Sequence, residues 1–306
     1  MGYGGRMDAD TWRGYSSTHI ADKSTAEIYT ASAIDALLDP KGVAMRESRD
    51  SDMSPESTAV IAALDVTGSM GNVLEAAAKG LGVMVEELYT RLPVTNPQLM
   101  FMGVGDAEAG DQYPLQVSQF EVDVKIAEQL QKIYFEKRGG GNRYEGYAMA
   151  WYFAAMHTSI DCFEKRGKKG ILFTMGDEEP TPYLRPQDIE RVIGDTPQAQ
   201  LSAKQVLEMV SKQYHVFHLI IEEGNNGKSR GTLDGWTNLL GQHAIPVSDC
   251  TKIAEVMVSV MQAVTGEDKD KIAASWDGDT SMVVSKAISG LQKVDGTVPA
   301  GGVVEL

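Results

Sequence analysis

Two cysteines, Cys162 and Cys250, are all that the 306 residues contain, and they form no C-x-x-C pair. A disulfide framework is excluded as the organising principle, and the expectation is two buried thiols in a reducing compartment. Long apolar runs are also missing. None approaches the roughly 18 residues that a membrane-crossing helix needs. The opening Met1-Gly2-Tyr3-Gly4-Gly5-Arg6 lacks the apolar region of a secretory signal, and Arg6 stands where myristoylation wants Ser or Thr. Positive charge is scarce: 28 Lys and Arg face 43 Asp and Glu, for a net charge of −15 and a pI near 4.8. Such a surface repels phosphate backbones and anionic membranes, so neither nucleic acid nor membrane is an expected partner. The expectation is a soluble cytoplasmic protein.

What is present suits a folded core. Hydrophobic residues make up 42% and charged residues 23% of the chain. Residues 1–56 read as an N-terminal extension with one short helix. Its signals are a capping box of Ser24 and Glu27, a stripe of Ile28, Ala31, Ile34 and Leu37, and a stop at Pro40. Residues 44–56 read as a charged linker. From residue 57 to 265, apolar runs alternate with helical spacing. Strands are expected at 58–64, 99–104, 115–120, 169–175, 215–221 and 244–247. Helices are expected at 71–92, 123–137, 144–159, 198–213, 233–240 and 249–265. Strands that are apolar on both faces and separated by helices predict an α/β fold with a doubly wound, mostly parallel six-stranded sheet. The expected order is 3-2-1-4-5-6, with 115–120 as the antiparallel edge. Residues 266–306 read as a C-terminal helical extension and tail.

In such sheets ligands sit at the carboxyl ends of strands, where the order reverses. Two strands here end in acid, at Asp65 and Asp177, and a third runs into Gly105-Asp106. After the first strand, Asp65, Thr67 and Ser69 occupy alternate positions, and Gly68 and Gly71 permit a tight bend. That spacing can turn one carboxylate and two hydroxyls to one side. Hard oxygen donors suit Mg²⁺. Neutral hydroxyls leave the ion with positive charge to spend on an outside carboxylate. Read alone, the same run is also a set of helix caps.

The run Val60-Ile61-Ala62-Ala63-Leu64-Asp65-Val66-Thr67-Gly68-Ser69-Met70 resembles the first motif of von Willebrand factor A domains. The resemblance extends over about residues 57–265, through Phe101 to Asp106, Phe120 to Val124, Gly139 to Glu145 and Phe173 to Glu178. It is closest to a bacterial or phage intracellular branch. The family's metal-ion-dependent adhesion site uses D-x-S-x-S, a threonine from a second loop and an aspartate from a third. The resemblance implies that Asp65 and Ser69 approach the ion, with Thr67 in place of a serine and Asp177 acting through water. Asn142 stands where the threonine is expected, and Glu145 and Asp106 lie where they can support the loops. The implied function is a non-enzymatic protein-binding module that grips an Asp or Glu of a partner through Mg²⁺, with Mn²⁺ or Ca²⁺ as substitutes. The alternatives are a self-assembling homo-oligomer that uses the site between subunits, and a metal-assisted hydrolase.

Other signals read as structural. Gly227-Lys228-Ser229 ends like a phosphate-binding loop, but Glu222 stands where that pattern needs glycine. His215 and His218 fall on opposite faces of a strand. His157 lacks a helical ligand partner. Met149 and Met156, among Trp151, Tyr152 and Phe153, read as core, and Glu178 and Glu179 as a solvated loop.

Overall fold

The computed structural model describes residues 10, 14–15, 17–18, 27, 29–70, 73–91, 93–123, 125–136 and 142–294. The side chains of residues 69, 74–75, 77–78, 81–82 and 89 are outside that description. So are the expected cap at Ser24 with Ile28, the glycine run 139–141, and the tail 295–306.

The six apolar runs form one sheet: β1 Thr58–Asp65, β2 Pro97–Val104, β3 Leu115–Val117, β4 Gly170–Gly176, β5 Tyr214–Ile221 and β6 Ala244–Val247. Their order is β6-β5-β4-β1-β2-β3, which is the expected one. All neighbours are parallel except β2 with β3.

Both faces of β1 are buried because alternate side chains enter different cores. Val60, Ala62 and Leu64 pack with α1 (Val73–Arg91) and residues later in the chain. Ala59, Ile61 and Ala63 pack under α2 (Tyr147–Met156), α3 (Ala203–Val210) and α4 (Arg230–Leu240). The first core also takes in α5 (Ile253–Thr265) and α6 (Gly278–Ile288). The result is a mixed α/β fold with helices against both faces of a mostly parallel sheet, compatible with a Rossmann-like arrangement. Among the described residues no helix is long and apolar enough to cross a membrane.

Several boundaries differ from expectation. The segment 29–40 is loop and turn rather than helix. Its carbonyls serve distant partners: Leu38 accepts from Val117 N–H at 2.7 Å, and Leu37 accepts from the Arg46 guanidinium at 2.9 Å. The charged stretch 44–56 is not a free linker. Arg46–Ser48 pairs in parallel with Thr158–Ile160. Arg49 contacts Asp161 at 2.9 Å, and Asp50 contacts Arg166 at 2.6 Å. The helix expected from residue 144 begins at Tyr147. Residues Tyr144–Glu145 instead form a short strand beside Glu179–Pro180. The helix expected at 123–137 is only Lys125–Leu130 among the described residues, and α3 begins at Ala203 behind a capping box of Ser202 and Gln205. The segment 249–265 is a 3-10 turn, Cys250–Lys252, followed by α5.

Candidate functional site

Asp65 closes β1 with its side chain wholly buried. Thr67 donates to its Oδ1 twice, from the backbone N–H at 2.8 Å and the hydroxyl at 2.6 Å. The Tyr147 hydroxyl donates to Oδ2 at 3.1 Å. Burial drives the Asp65 pKa up to about 7, the Thr67 hydrogen bond opposes this, and the charge of Asp177 adds to it. Gly68–Met70, which contains Ser69, follows as a 3-10 turn directly after Thr67. The Ser69 side chain lies outside the described residues.

Asp177 follows β4, the parallel neighbour of β1, and is also fully buried. Its Oδ2 accepts from Asn226 N–H at 3.0 Å. The Asn226 side chain donates to Glu178 at 2.9 Å. Glu178 is therefore buried and held, and is not the solvated residue expected. Its own pKa rises through burial and then through Asp177. Glu179 is half-buried with Arg143 at 3.6 Å.

The third loop brings Glu145 and Asn142. Glu145 is buried, and its carboxyl is held well above the usual range by burial and then by the charge of Asp65. Asn142 donates to Asp106 Oδ2 at 2.5 Å, and its own Oδ1 accepts from Tyr144 N–H at 3.3 Å. Asp106 is buried, not a solvated turn residue, and accepts also from Glu108 N–H at 2.7 Å. The Asn142 amide thus reaches the cluster through Asp106.

Two glycines make these approaches sterically feasible. A Cβ on Gly176 would lie 2.0 Å from the Tyr147 hydroxyl and 2.8 Å from Asp65 Cβ. A Cβ on Gly146 would lie 2.2 Å from the Gly105 carbonyl, so the loops after β2 and before α2 touch backbone to backbone. Sequence reasoning missed Tyr147, Asn226, Gly176 and Gly146. Only Gly176, immediately before Asp177, carried a local signal.

The donors gathered here are oxygens, from Asp65, Thr67 and Asp177, with Asn142 behind Asp106. That set fits a hard cation such as Mg²⁺ better than a soft one. A second group of donors stands elsewhere in the fold. Among the described residues, the metal-ligand atoms of Glu223, Asp249 and Cys250 all lie within 4.8 Å of one another. Those groups already have work. Glu223 accepts from Cys250 N–H at 2.5 Å, and Asp249 accepts from Thr251 at 2.9 and 2.6 Å. Burial, then the hydrogen bond with Glu223, pushes the Cys250 thiol up to about 12.

The other sequence signals resolve structurally. Ser229 caps α4 by accepting from Thr232 N–H at 3.1 Å, and Gly227 packs against the Ile221 carbonyl. The run is a helix start rather than a phosphate loop. His218 is buried, bonded to Thr174 at 2.9 Å and stacked on Trp236. His157 pairs with Asp195 at 2.8 Å, a partner not visible in its helical neighbourhood. Both cysteines are free and buried. Met149, Trp151, Tyr152 and Phe153 are core, as expected, but Met156, at the last turn of α2, is exposed.

No family model and no curated protein matches the chain. Among solved structures it is similar to the pilus adhesin SpaC from Lactobacillus rhamnosus GG in an open conformation. The identity is 11% over 74% of this chain and 31% of the adhesin, with a TM-score of 0.47. A second structure of that adhesin gives 10%, 71%, 31% and 0.48. Proximal thread matrix protein 1 from the mussel byssus gives 10% identity over 72% of this chain and 48% of that one, with a TM-score of 0.39. The chain thus spans about a third of the adhesin's length and about half of the byssus protein's. At these low scores and identities, none of these likenesses says what this chain does.

Proposed function

We propose that the chain is a von Willebrand factor A-type domain with a doubly wound sheet, whose strand-end loops hold Mg²⁺ and use it to grip an Asp or Glu of a protein partner. One observation carries the reading. Buried carboxylates crowd at the carboxyl ends of β1 and β4, where Asp65 feels the charge of Asp177 and Glu145 feels that of Asp65. Burial leads for both; the Thr67 hydrogen bond and then the charge of Asp177 follow for Asp65, and the charge of Asp65 follows for Glu145. Burying like charges together destabilises a fold unless a cation or a proton joins them.

Asp65, Thr67, Ser69 and Asp177 would hold the ion, with Asn142 reaching it only through Asp106, and Mn²⁺ or Ca²⁺ suit the same oxygens. The bound ion supplies an electropositive anchor for an outside carboxylate. The chain's own residues set the stage for it. Asp65 provides charge, and Tyr147 fixes the Asp65 carboxyl plane from behind. Asn226 fixes Asp177, and Asp106 steadies Asn142. The same reading is non-enzymatic and cytoplasmic.

The test is a capture experiment with wild-type and Asp65→Ala baits, each in Mg²⁺ and in EDTA. The reading expects partners that depend on both Mg²⁺ and Asp65. Identical partner lists from all four conditions would overturn it.

A further inference from the structure

A cavity lies at the other end of the sheet, away from Asp65 by the length of β1, about 23 Å. It has a volume of about 770 Å³ and opens beside Thr58, Ile171 and His215, at the amino ends of β1, β4 and β5. That size suits a small-molecule ligand.

Its lining runs against the charge of the chain. Arg166, Lys168, Lys169 and Lys293 contribute cations and Glu56 the one acid, in a protein of net charge −15. Arg166 is neutralised by Asp50 at 2.6 Å. The three lysines are not. Lys169 donates to a neutral acceptor, the Ser211 carbonyl, at 2.6 Å, and burial lowers its pKa. Lys168 and Lys293 are exposed, and among the described residues no ion pair involves either. Burial, then the charge of Lys169, pushes His215 down to about 4, so it is neutral near pH 7. Positive charge outnumbers negative charge here even with Asp50 and Glu56 counted.

The apolar part of the wall comes from Val94, Ile171, Val264 and Val294, beside the polar Ser57, Thr95 and Thr265. The rim is also conformationally costly. Glu56 and Asn96 are the two non-glycine residues with positive φ among the described residues, at 54° and 41°, and both line this cavity. Left-handed backbone at non-glycine residues is strained, and it gathers at ligand sites more often than elsewhere.

We propose that this cavity binds a small amphipathic organic anion, with its acidic head among Lys168, Lys169 and Lys293 and its apolar body on Val94, Val264 and Val294. A carboxylate and a phosphate monoester share that chemistry. The site is separate from the Asp65 cluster and does not depend on the cation reading.

The test is calorimetric titration of the full chain with hexanoate and with hexyl phosphate. Hexanol serves as the body without the head, and inorganic phosphate as the head without the body. Saturable binding of at least one hexyl anion is expected, with hexanol and inorganic phosphate weaker by about tenfold or more. The better-bound head identifies the natural source. Lys168→Glu combined with Lys293→Glu is expected to weaken binding by about tenfold or more, while Asp65→Asn leaves it unchanged. Methyl NMR of the wild type gives a readout independent of any variant, with shifts expected at Ile171, Val264 and Val294. The proposal is overturned if neither anion saturates, if hexanol or phosphate binds as well as the hexyl anions, if the double charge reversal binds like wild type, or if the shifts fall elsewhere.

Discussion

The two ends of the sheet are opposites. At the carboxyl end, Asp65, Glu145 and Asp177 are buried against one another in a space so tight that Gly176 cannot carry a side chain. At the amino end, Lys168, Lys169 and Lys293 line an open cavity of about 770 Å³. Burial makes the difference consequential. Like charges in the dry, crowded end change the protonation of the groups themselves, whereas repulsion between charges beside water is screened. The acidic end is therefore expected to be energetically brittle and the basic end tolerant.

The strongest way to break this comparison is Gly176→Ala. Its Cβ has no room beside Tyr147 and Asp65. A loss of about 3 kcal/mol is expected in urea melts. A loss under about 0.5 kcal/mol would show that the acidic end is loosely packed.

Next in size is Asp65→Asn without added metal. The substitution removes a charge whose ionisation is opposed by burial, so it is expected to stabilise the metal-free protein by about 2 kcal/mol near neutral pH. Destabilisation would mean that the Asp65 charge is already compensated.

The sign of the pH dependence follows from the same group. Its folded pKa, near 7, lies above the ordinary carboxylate value. The folded state therefore holds a proton that the unfolded state has released, and the metal-free protein loses stability as pH rises from about 4 to about 7. A cation competes with that proton, so Mg²⁺ should raise the melting temperature more at pH about 8 than at pH about 5.5. An equal or reversed effect would separate cation binding from Asp65.

The smallest effect belongs to the amino end. Lys168→Glu with Lys293→Glu is expected to change folding stability by less than about 0.5 kcal/mol and to leave the Mg²⁺ response intact. A larger loss would mean that those lysines are structural.

Much of this contrast is legible in the sequence at one end only. The strand ends Asp65 and Asp177 are legible because a buried parallel strand is a continuous apolar run, and the first polar residue after it marks the ligand edge. The strand order follows for the same reason. Tyr147 and Asn226 escape because they reach Asp65 and Asp177 across 82 and 49 residues, with no periodic signal. The amino-end cavity is assembled from six separate stretches between Glu56 and Val294, each unremarkable alone. The segment 29–40 misleads for the opposite reason. Its spacing is helical, but Val117 and Arg46 take the carbonyls that a helix would use internally.

The most direct test of the cation reading is calorimetric titration of Mg²⁺ into the chelator-treated full chain, wild type against Asp65→Asn. The account predicts a saturable single site in the wild type and none in the variant. Absence of binding in both, or the same binding in both, would contradict it.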